Sequence, residues 1–281
     1  MEIELKSIIK ETDDIPTLPV IFYKIMGKVK DPDSTVNEIG DIINLDVALS
    51  TKVLKLVNSS FYGFTNQIET LPHALSIIGT DQLVNIVIAS MLMDRFEGIP
   101  EKFVSMESFW AHSISSGLAA KELAREIIPE ETEALYLAGM IHDIGALIIY
   151  KELSTKVEEA LVRCNEWGQK IIDAEQGVLG FDHAMVGRAL LKEWNLPPSL
   201  IEIVTFHHDP ANASDFQKQT ALVYLADYIS QSNRLGSSGE IDCHSLDPDV
   251  LKILKVSPDI IPPTSEKVIR DFEETAKILM D

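Results

Sequence analysis

Apolar and polar positions alternate with a helical period along most of this chain. Residues Thr35 to Glu38 form a predicted capping box, in which a hydroxyl and a carboxylate satisfy opposite backbone amides. An apolar stripe with helical spacing follows and predicts that a helix begins there, at Val36, Ile39, Ile42 and Ile43. No stretch shows sustained period-two alternation with hairpin turns. The pattern therefore predicts an all-α fold.

Further helices with short connections are predicted from the same period. They cover Ser105 to Glu126, Thr132 to Tyr150, Ser154 to Trp167, Ile171 to Leu179, His183 to Trp194, Pro198 to His207 and Phe216 to Ser232. The small residues Gly139 and Gly145 would let other helices approach closely. Asn58, at the end of an earlier helical segment, is predicted to be a structural hydrogen-bonding hub.

Breaks in the pattern divide the chain into parts. The apolar stretch Leu83 to Phe96 ends at Glu97-Gly98-Ile99-Pro100, where we place the boundary between an N-terminal helical half, residues 14–98, and a second half, residues 99–230. The Gly- and Ser-rich segment Arg234 to Gly239 predicts a flexible break. Residues 231–281 are predicted to be a C-terminal helical extension, with helices at Leu246 to Leu254 and Glu266 to Met280 and with Pro262-Pro263 between them.

Composition and charge limit the classes of partner. The chain has 281 residues, 46% of them hydrophobic, and can bury a large core. Its formal net charge of -20 repels phosphate backbones, so we expect neither general nucleic-acid binding nor attachment to anionic lipid. No apolar run approaches the roughly 18 residues of a membrane span, and the first residues lack a signal-peptide pattern. We therefore expect a cytoplasmic protein.

The two cysteines do not suggest thiolate chemistry. Cys164 and Cys243 stand apart, with no CxxC spacing, and are expected to be reduced thiols. Cys243-His244 could in principle be a ligand pair, but the Gly-Ser stretch before it is typical of a surface segment.

Histidines and aspartates recur through the apolar helical segments of the second half. They are His112, His142, Asp143, His183, His207, His208 and Asp227. Histidine offers a nitrogen that suits iron, zinc, nickel or copper, and aspartate offers an oxygen that can bridge two ions. Each residue alone is more often a hydrogen-bonded core residue than a ligand. Seven buried polar groups without partners would be costly, which favours a single site for one or two metal ions.

Residues 138–145, Ala-Gly-Met-Ile-His-Asp-Ile-Gly, resemble the helix that carries the defining doublet of the HD superfamily of metal-dependent phosphohydrolases. His112 matches that superfamily's first histidine and Asp227 its last aspartate. The additional His183 and His207-His208 are similar to the HD-GYP branch, whose members hydrolyse cyclic dinucleotides. The resemblance implies that one ion would take His112, His142, Asp143 and Asp227, and a second would take Asp143, His183, His207 and His208. Asp143 would bridge two divalent transition metals, with iron or manganese favoured and zinc or nickel also suitable.

The chain departs from the HD-GYP pattern at two places. Ala146 stands where that branch has a lysine, directly after the His-Asp-x-Gly stretch. The Gly-Tyr-Pro triplet expected soon after the paired histidines is absent, and residues 209–212, Asp-Pro-Ala-Asn, occupy its place. A cation near the phosphate and a substrate loop are therefore both missing.

The N-terminal third carries a second resemblance. From about residue 14 to about residue 230 the chain resembles HDOD domains, the HD-related output domains of bacterial signalling proteins. The resemblance rests on Leu18-Pro19, Asp31-Pro32-Asp33, Ile42 to Asp46, Lys52-Val53-Leu54, Asn58-Ser59-Ser60-Phe61-Tyr62-Gly63 and Ala74 to Gly79.

Two functions remain open from the sequence. The first is a regulatory module that binds signalling proteins and has little or no turnover. The second is a metal-dependent phosphohydrolase acting on a nucleotide or a cyclic dinucleotide. In either case Glu175 or Asp182 could fix the tautomer of a ligating histidine, although a solvated carboxylate is the default for both.

Overall fold

The described part of the chain is entirely helical apart from turns and loops. The computed structural model describes residues 18–29, 31–59, 62–93, 96, 99, 104–240 and 245–280, and these contain no strand. The predicted all-α class is confirmed. In chain order the helices are α1 Val20–Val29, α2 Val36–Ile43, α3 Val47–Val57, α4 Leu71–Ile78, α5 Thr80–Met93, α6 Met106–Ile127, α7 Thr132–Ile141, α8 Ile144–Glu152, α9 Ser154–Trp167, α10 Ile171–Leu179, α11 His183–Glu193, α12 Pro198–Phe206, α13 Gln217–Ser232, α14 Pro248–Leu254 and α15 Ile261–Met280.

The capping box predicted before α2 is present. Glu38 N donates to Thr35 Oγ1 over 3.3 Å, and Thr35 N donates to Glu38 Oε2 over 2.9 Å. The two bonds satisfy amides that the first turn of a helix leaves without partners. This local chemistry explains why α2 begins at Val36, as predicted.

Asn58 ties the end of α3 to a neighbouring loop. Its Nδ2 donates to Leu54 O and to Ile68 O, both over 2.8 Å, and its Oδ1 accepts from Ile68 N over 2.7 Å. The predicted hydrogen-bonding hub is therefore confirmed. Phe61 and the boundary predicted at residues 97–100, except Ile99, lie outside the described residues, as does the Cys243-His244 pair.

The helix predicted from Thr132 to Tyr150 is wrong in one respect, because the structure breaks it at His142-Asp143. Helix α7 ends at Ile141, and α8 begins at Ile144. The imidazole Nδ1 of His142 lies 2.8 Å from the carbonyl of Gly139, which would accept a backbone bond from Asp143 in a continuous helix. The doublet therefore occupies a tight turn between two helices.

Gly139 and Gly145 permit the close helix contacts that the sequence predicts. A Cβ on Gly139 would lie 2.7 Å from the carbonyl oxygen of Ser116 on α6. A Cβ on Gly145 would lie 2.5 Å from the amide nitrogen of Gly187 on α11 and still closer to the carbonyl oxygen of His183. Only glycine at these two positions lets α7 pack this tightly on α6 and α8 on α11. The second contact determines where α11 lies relative to α8.

The C-terminal helix is longer than the sequence predicts. It begins at Ile261 instead of Glu266 and includes Pro262-Pro263 in its first turn, where a missing backbone N–H costs nothing. Its buried face includes Thr264, Val268 and Thr275 and packs on α6. An ion pair of 3.3 Å between Lys267 Nζ and Glu122 Oε2 joins the same two helices.

One stretch of the described chain, Pro129–Glu152, is long and apolar enough to cross a membrane by composition alone. Within the fold, 89% of its most apolar window is buried. The stretch, which contains α7 and α8, is therefore part of the core and supplies the framework for the His142-Asp143 turn.

Candidate metal centre

The fold brings all seven predicted ligand residues together at one place. His112 lies on α6, the His142-Asp143 pair between α7 and α8, His183 at the start of α11, the His207-His208 pair directly after α12, and Asp227 on α13. Six of the seven are buried, and His208 is half-buried. Five segments far apart in sequence therefore surround one buried volume.

One group of ligand atoms lies on the side of α6 and α13. Asp143 Oδ2 is 3.5 Å from His112 Nε2 and 3.2 Å from His142 Nε2. Asp227 Oδ1 is 3.1 Å from His112 Nε2 and 3.6 Å from His142 Nε2. The group has the membership that the HD resemblance implies for a first ion.

The second group lies on the side of α11 and α12. Asp143 Oδ1 is 3.3 Å from His183 Nε2 and 3.3 Å from His207 Nε2. His208 Nε2 completes the group at 2.9 Å from His183 Nε2. Asp143 thus directs one carboxylate oxygen to each group, as a bridging residue would.

Partners outside the two groups determine which imidazole nitrogen carries a proton. Nδ1 of His142 and Nδ1 of His207 each lie 2.8 Å from a backbone carbonyl, and these carbonyls accept hydrogen bonds from them. His183 Nδ1 donates to Glu175 Oε2 over 2.7 Å, and the same oxygen accepts from His183 N. The three Nε2 atoms therefore present lone pairs to the centre.

The structure distinguishes the two carboxylates that the sequence left open. Glu175 contacts the imidazole of His183, whereas Asp182 accepts from Met185 N over 2.8 Å and caps α11. Asp182 therefore has a local structural role, and Glu175 orients the His183 imidazole.

The donor atoms of the cluster fit a bound cation. Lone pairs on Nε2 of His142, His183 and His207 face carboxylate oxygens of Asp143 at 3.2 to 3.3 Å, an arrangement of acceptors opposite acceptors. Nε2 of His112, Nε2 of His142 and Oδ1 of Asp143 are buried and have no hydrogen-bond partner among the described residues. A cation between these atoms would relieve both features, and the set of imidazoles and carboxylates suits a divalent transition metal.

Without a metal, protons supply the positive charge. Burial lowers the pKa of His112 and His142, but Asp143 and Asp227 outweigh burial and raise the two pKa values to about 9 and about 10. Burial favours the neutral form of Asp143, yet His142 and the neighbouring imidazoles hold its pKa well below its ordinary value. The centre therefore holds positive charge in either state, from a metal when one is bound and from protons when none is.

A cleft of about 480 Å³ opens beside the centre. His208 and Asp227 face it, together with Tyr224, Tyr228 and Lys170. A small cavity of about 10 Å³, enough for about one water, shares His208 and Glu240 with the cleft and is also lined by Ala146, Asp143 and His183. Ala146 stands where the HD-GYP resemblance expects a lysine, so this position does face the centre.

Sequence reasoning missed three residues around the ligands. Ser230 Oγ lies 3.2 Å from His112 Nδ1, and Gln231 Nε2 donates to both carboxylate oxygens of Asp227 over 3.1 Å. Glu240 lines both the cleft and the small cavity. Ser230 and Gln231 follow Asp227 by three and four positions, and this helical spacing could have placed them on its face. No local pattern marks Glu240.

Metal is expected to raise the melting temperature of the protein, because a ligand that binds only the folded form stabilises it. A free metal concentration about 100-fold above Kd raises the free energy of unfolding by about 2.7 kcal/mol. Scanning calorimetry of chelated and metal-loaded protein measures the effect. His207→Ala should abolish most of it, whereas the exposed His73, outside the cluster, provides a control as His73→Ala. Equal metal-dependent stabilisation of both variants would contradict the assignment.

Comparison with known proteins gives the family. The HDOD domain model matches residues 15–210. An uncharacterized protein of Treponema pallidum (strain Nichols) is 28% identical over 216 residues, which cover 75% of this chain and 41% of that protein. The chain therefore spans less than half the length of this curated relative.

Two solved structures show the same architecture. An HDOD domain protein of unknown function from Geobacter sulfurreducens is 26% identical, with a TM-score of 0.74 and coverage of 98% of this chain and 91% of that one. A protein of Shewanella amazonensis SB2B, described as a metal-dependent phosphohydrolase, is 22% identical, with a TM-score of 0.70 and coverage of 98% and 96%. The second likeness concerns the fold alone. With the family match extending over more than half of the residues, from the N-terminal helices through His207-His208, the chain belongs to the HDOD domain family.

Proposed function

We propose that this protein is a signal-transduction output module that binds signalling proteins in the cytoplasm and is built around a dinuclear metal centre with little or no turnover. The observation that carries the proposal is a complete ligand cluster beside a cleft with almost no positive charge. Among the described residues lining the cleft and the small cavity, Lys170 is the single lysine or arginine. A phosphodiester entering there would have few partners.

The two ions would be held as the two groups of atoms suggest. His112, His142 and Asp227 would serve one ion, and the second would take His183 with the His207-His208 pair. Asp143 would bridge them through its two oxygens. Iron or manganese suits this mixture of imidazole and carboxylate, and zinc or nickel fits it as well. In a module of this kind the metals would stabilise the fold or report metal availability.

The two departures from the HD-GYP pattern support low turnover. Ala146 is buried at 3% exposure and provides no ammonium group beside the ligands. Residues Pro210–Asn212 form a short 3-10 turn, and Asn212 Nδ2 donates to Asp209 Oδ2 within the connection that follows the paired histidines. A carboxylate and a proline turn replace the Gly-Tyr-Pro segment of the resemblance.

A metal-dependent phosphohydrolase remains the second candidate, and the complete ligand set is the observation that favours it. Bound divalent ions would polarise a phosphate and activate a water for attack. In that case Asp143 and Asp227 would hold the ions, and Glu175 would keep the His183 imidazole oriented. The substrate would be a nucleotide or a cyclic dinucleotide that enters through the cleft.

Turnover separates the two candidates. The metal-loaded protein is expected to show negligible hydrolysis of cyclic dinucleotides and of a generic phosphodiester, because loss of one positioned transition-state group commonly costs about 100-fold or more in rate. The assay requires protein purified without chelator or nickel column, with its metal content determined in the same sample.

The control is the same assay on Asp143→Ala. Background hydrolysis that is equal in both proteins supports the regulatory module. Robust turnover by the unmodified chain that disappears in Asp143→Ala would establish the hydrolase instead.

A further inference from the structure

Residues 236–240, which follow α13, cover one side of the candidate metal centre. Ser237 N donates to Ser108 O on α6 over 3.1 Å, and Asn165 Nδ2 on α9 donates to Gly239 O over 3.0 Å. Tyr150 OH on α8 donates to Ser238 O. Gly236 to Glu240, the covering turn hereafter, is thus fastened to three helices, although its Gly- and Ser-rich sequence predicts a flexible break.

Two glycines let the covering turn lie against the ligand-bearing helices. Gly236 and Gly239 have φ values of +83° and +127°, in the region that favours glycine. A Cβ on Gly236 would collide with the backbone of Ser108 and His112, and a Cβ on Gly239 would collide with the Tyr150 hydroxyl. The turn is therefore fitted closely to the surface beside His112.

The covering turn ends at Glu240. Its side chain lies where the small cavity and the cleft share lining residues, a place we call the mouth of the centre. Glu240 lines the small cavity with Asp143, His183 and Ala146, and it also lines the cleft. Gln231 Nε2 donates to Glu240 Oε2 over 3.1 Å and bonds the Asp227 carboxylate as well. The side chain of Glu240 thus borders both the small cavity at the candidate ligands and the cleft through which a ligand would enter.

Charge at this mouth is unfavourable for phosphate. Two divalent ions would bring four positive charges, and among the described residues beside the two groups we count four carboxylates: Asp143 and Asp227 as ligands, Glu175 behind His183, and Glu240 at the mouth. The ions would then leave no net positive charge to attract an anion. Of these four carboxylates, Glu240 alone lines both the cleft and the small cavity, so an anion that passes from one to the other meets its charge.

We propose that Glu240 is a specificity-determining residue that closes the metal centre to phosphate anions. The inference rests on the proposed metal centre and explains how a complete ligand set can coexist with low turnover. Glu240 shares the small cavity with Ala146, so a negative side chain lines the space where the HD-GYP resemblance expects a positive one. A lysine introduced at position 146 would meet this carboxylate and be neutralised by it.

The test is phosphate binding by the metal-loaded full chain. Glu240→Gln keeps the shape of the side chain and an oxygen that can accept from Gln231. We expect the unmodified protein to bind inorganic phosphate too weakly to approach saturation at millimolar concentrations, by calorimetry and by phosphate-dependent melting. Glu240→Gln should bind phosphate about 10- to 100-fold more tightly, the factor expected when one charge near the anion is removed. Glu240→Asp, which retains the charge, should behave like the unmodified protein.

Asp247→Asn is the matched control. It removes one carboxylate that lines the cleft but not the small cavity, and it still caps α14, because asparagine and aspartate are equally good caps. It should leave phosphate binding unchanged. An equal gain in phosphate affinity in Asp247→Asn would overturn the role of Glu240 and leave the proposed metal centre standing. No gain in Glu240→Gln, with unchanged metal content, would have the same meaning. Absence of metal from the unmodified protein would overturn the proposed function and this inference together.

Discussion

Asp143→Ala is expected to lose most of the metal that the unmodified protein carries. Protein from cells supplemented with iron or manganese should contain about one to two ions per chain, and the variant well below one. The physical reason is that Asp143 directs Oδ2 to His112 and His142 and Oδ1 to His183 and His207. Removal of this single carboxylate takes a negatively charged donor from both groups at once. Elemental analysis of purified, folded protein measures the result.

Asp182→Asn is the control for this experiment. Asp182 is also a buried aspartate, at 6% exposure, and lies directly before His183. Its carboxylate caps α11, and asparagine can replace it in that role. The control should keep its metal. Full metal occupancy in Asp143→Ala would show that Asp143 does not bridge the two groups.

Gly145→Ala is expected to destabilise the fold strongly for a change of one methyl group. The new Cβ would lie 2.5 Å from Gly187 N and closer still to the carbonyl oxygen of His183, so backbone and not a flexible side chain would have to move. Overpacking of this kind costs about 3 kcal/mol, which for a chain of this size lowers the melting temperature by roughly 5 °C. Displacement of α11 from α8 would also move His183 away from Asp143 and weaken metal binding.

Gly27→Ala supplies the opposite case. Gly27 lies inside α1 and is exposed, and a Cβ added there would have no described atom within 4 Å apart from the local backbone of its own helix. Alanine there should raise stability by about 0.5 to 1 kcal/mol through helix propensity. Urea denaturation of the metal-free proteins, with metal content measured separately, compares the two. Equal stability of both variants would mean that the α8–α11 contact relaxes without cost.

The coupling of Gly145 to the metal centre shows how the fold and the site depend on each other. The turn at His142-Asp143 exists because a side chain takes the carbonyl of Gly139, and the helix that follows must approach α11 closely to place Asp143 against His183. A residue without any ligand atom therefore contributes to the site through packing.

Local chemistry in the sequence determined most helices of this protein. The bounds of α9 and α10, Ser154–Trp167 and Ile171–Leu179, agree with the periodicity of their apolar positions. The capping box before α2 and the hub at Asn58 were also readable, because the groups involved lie within about ten residues of one another. Residue types and order likewise indicated the seven candidate ligands and the family.

Only the tertiary structure decided which of these local signals combine. The predicted helix is interrupted at His142-Asp143, because the His142 side chain donates a hydrogen bond to the carbonyl of Gly139. The tertiary structure fastened the covering turn to α6, α8 and α9 and brought Glu240 to the mouth of the centre, although no periodicity marks that residue. Contacts between residues more than 100 positions apart, such as His112 with Asp227, depend on packing of the whole core. A periodic pattern identifies which face of a helix is buried, but the neighbour that covers it is chosen by the free energy of the complete fold.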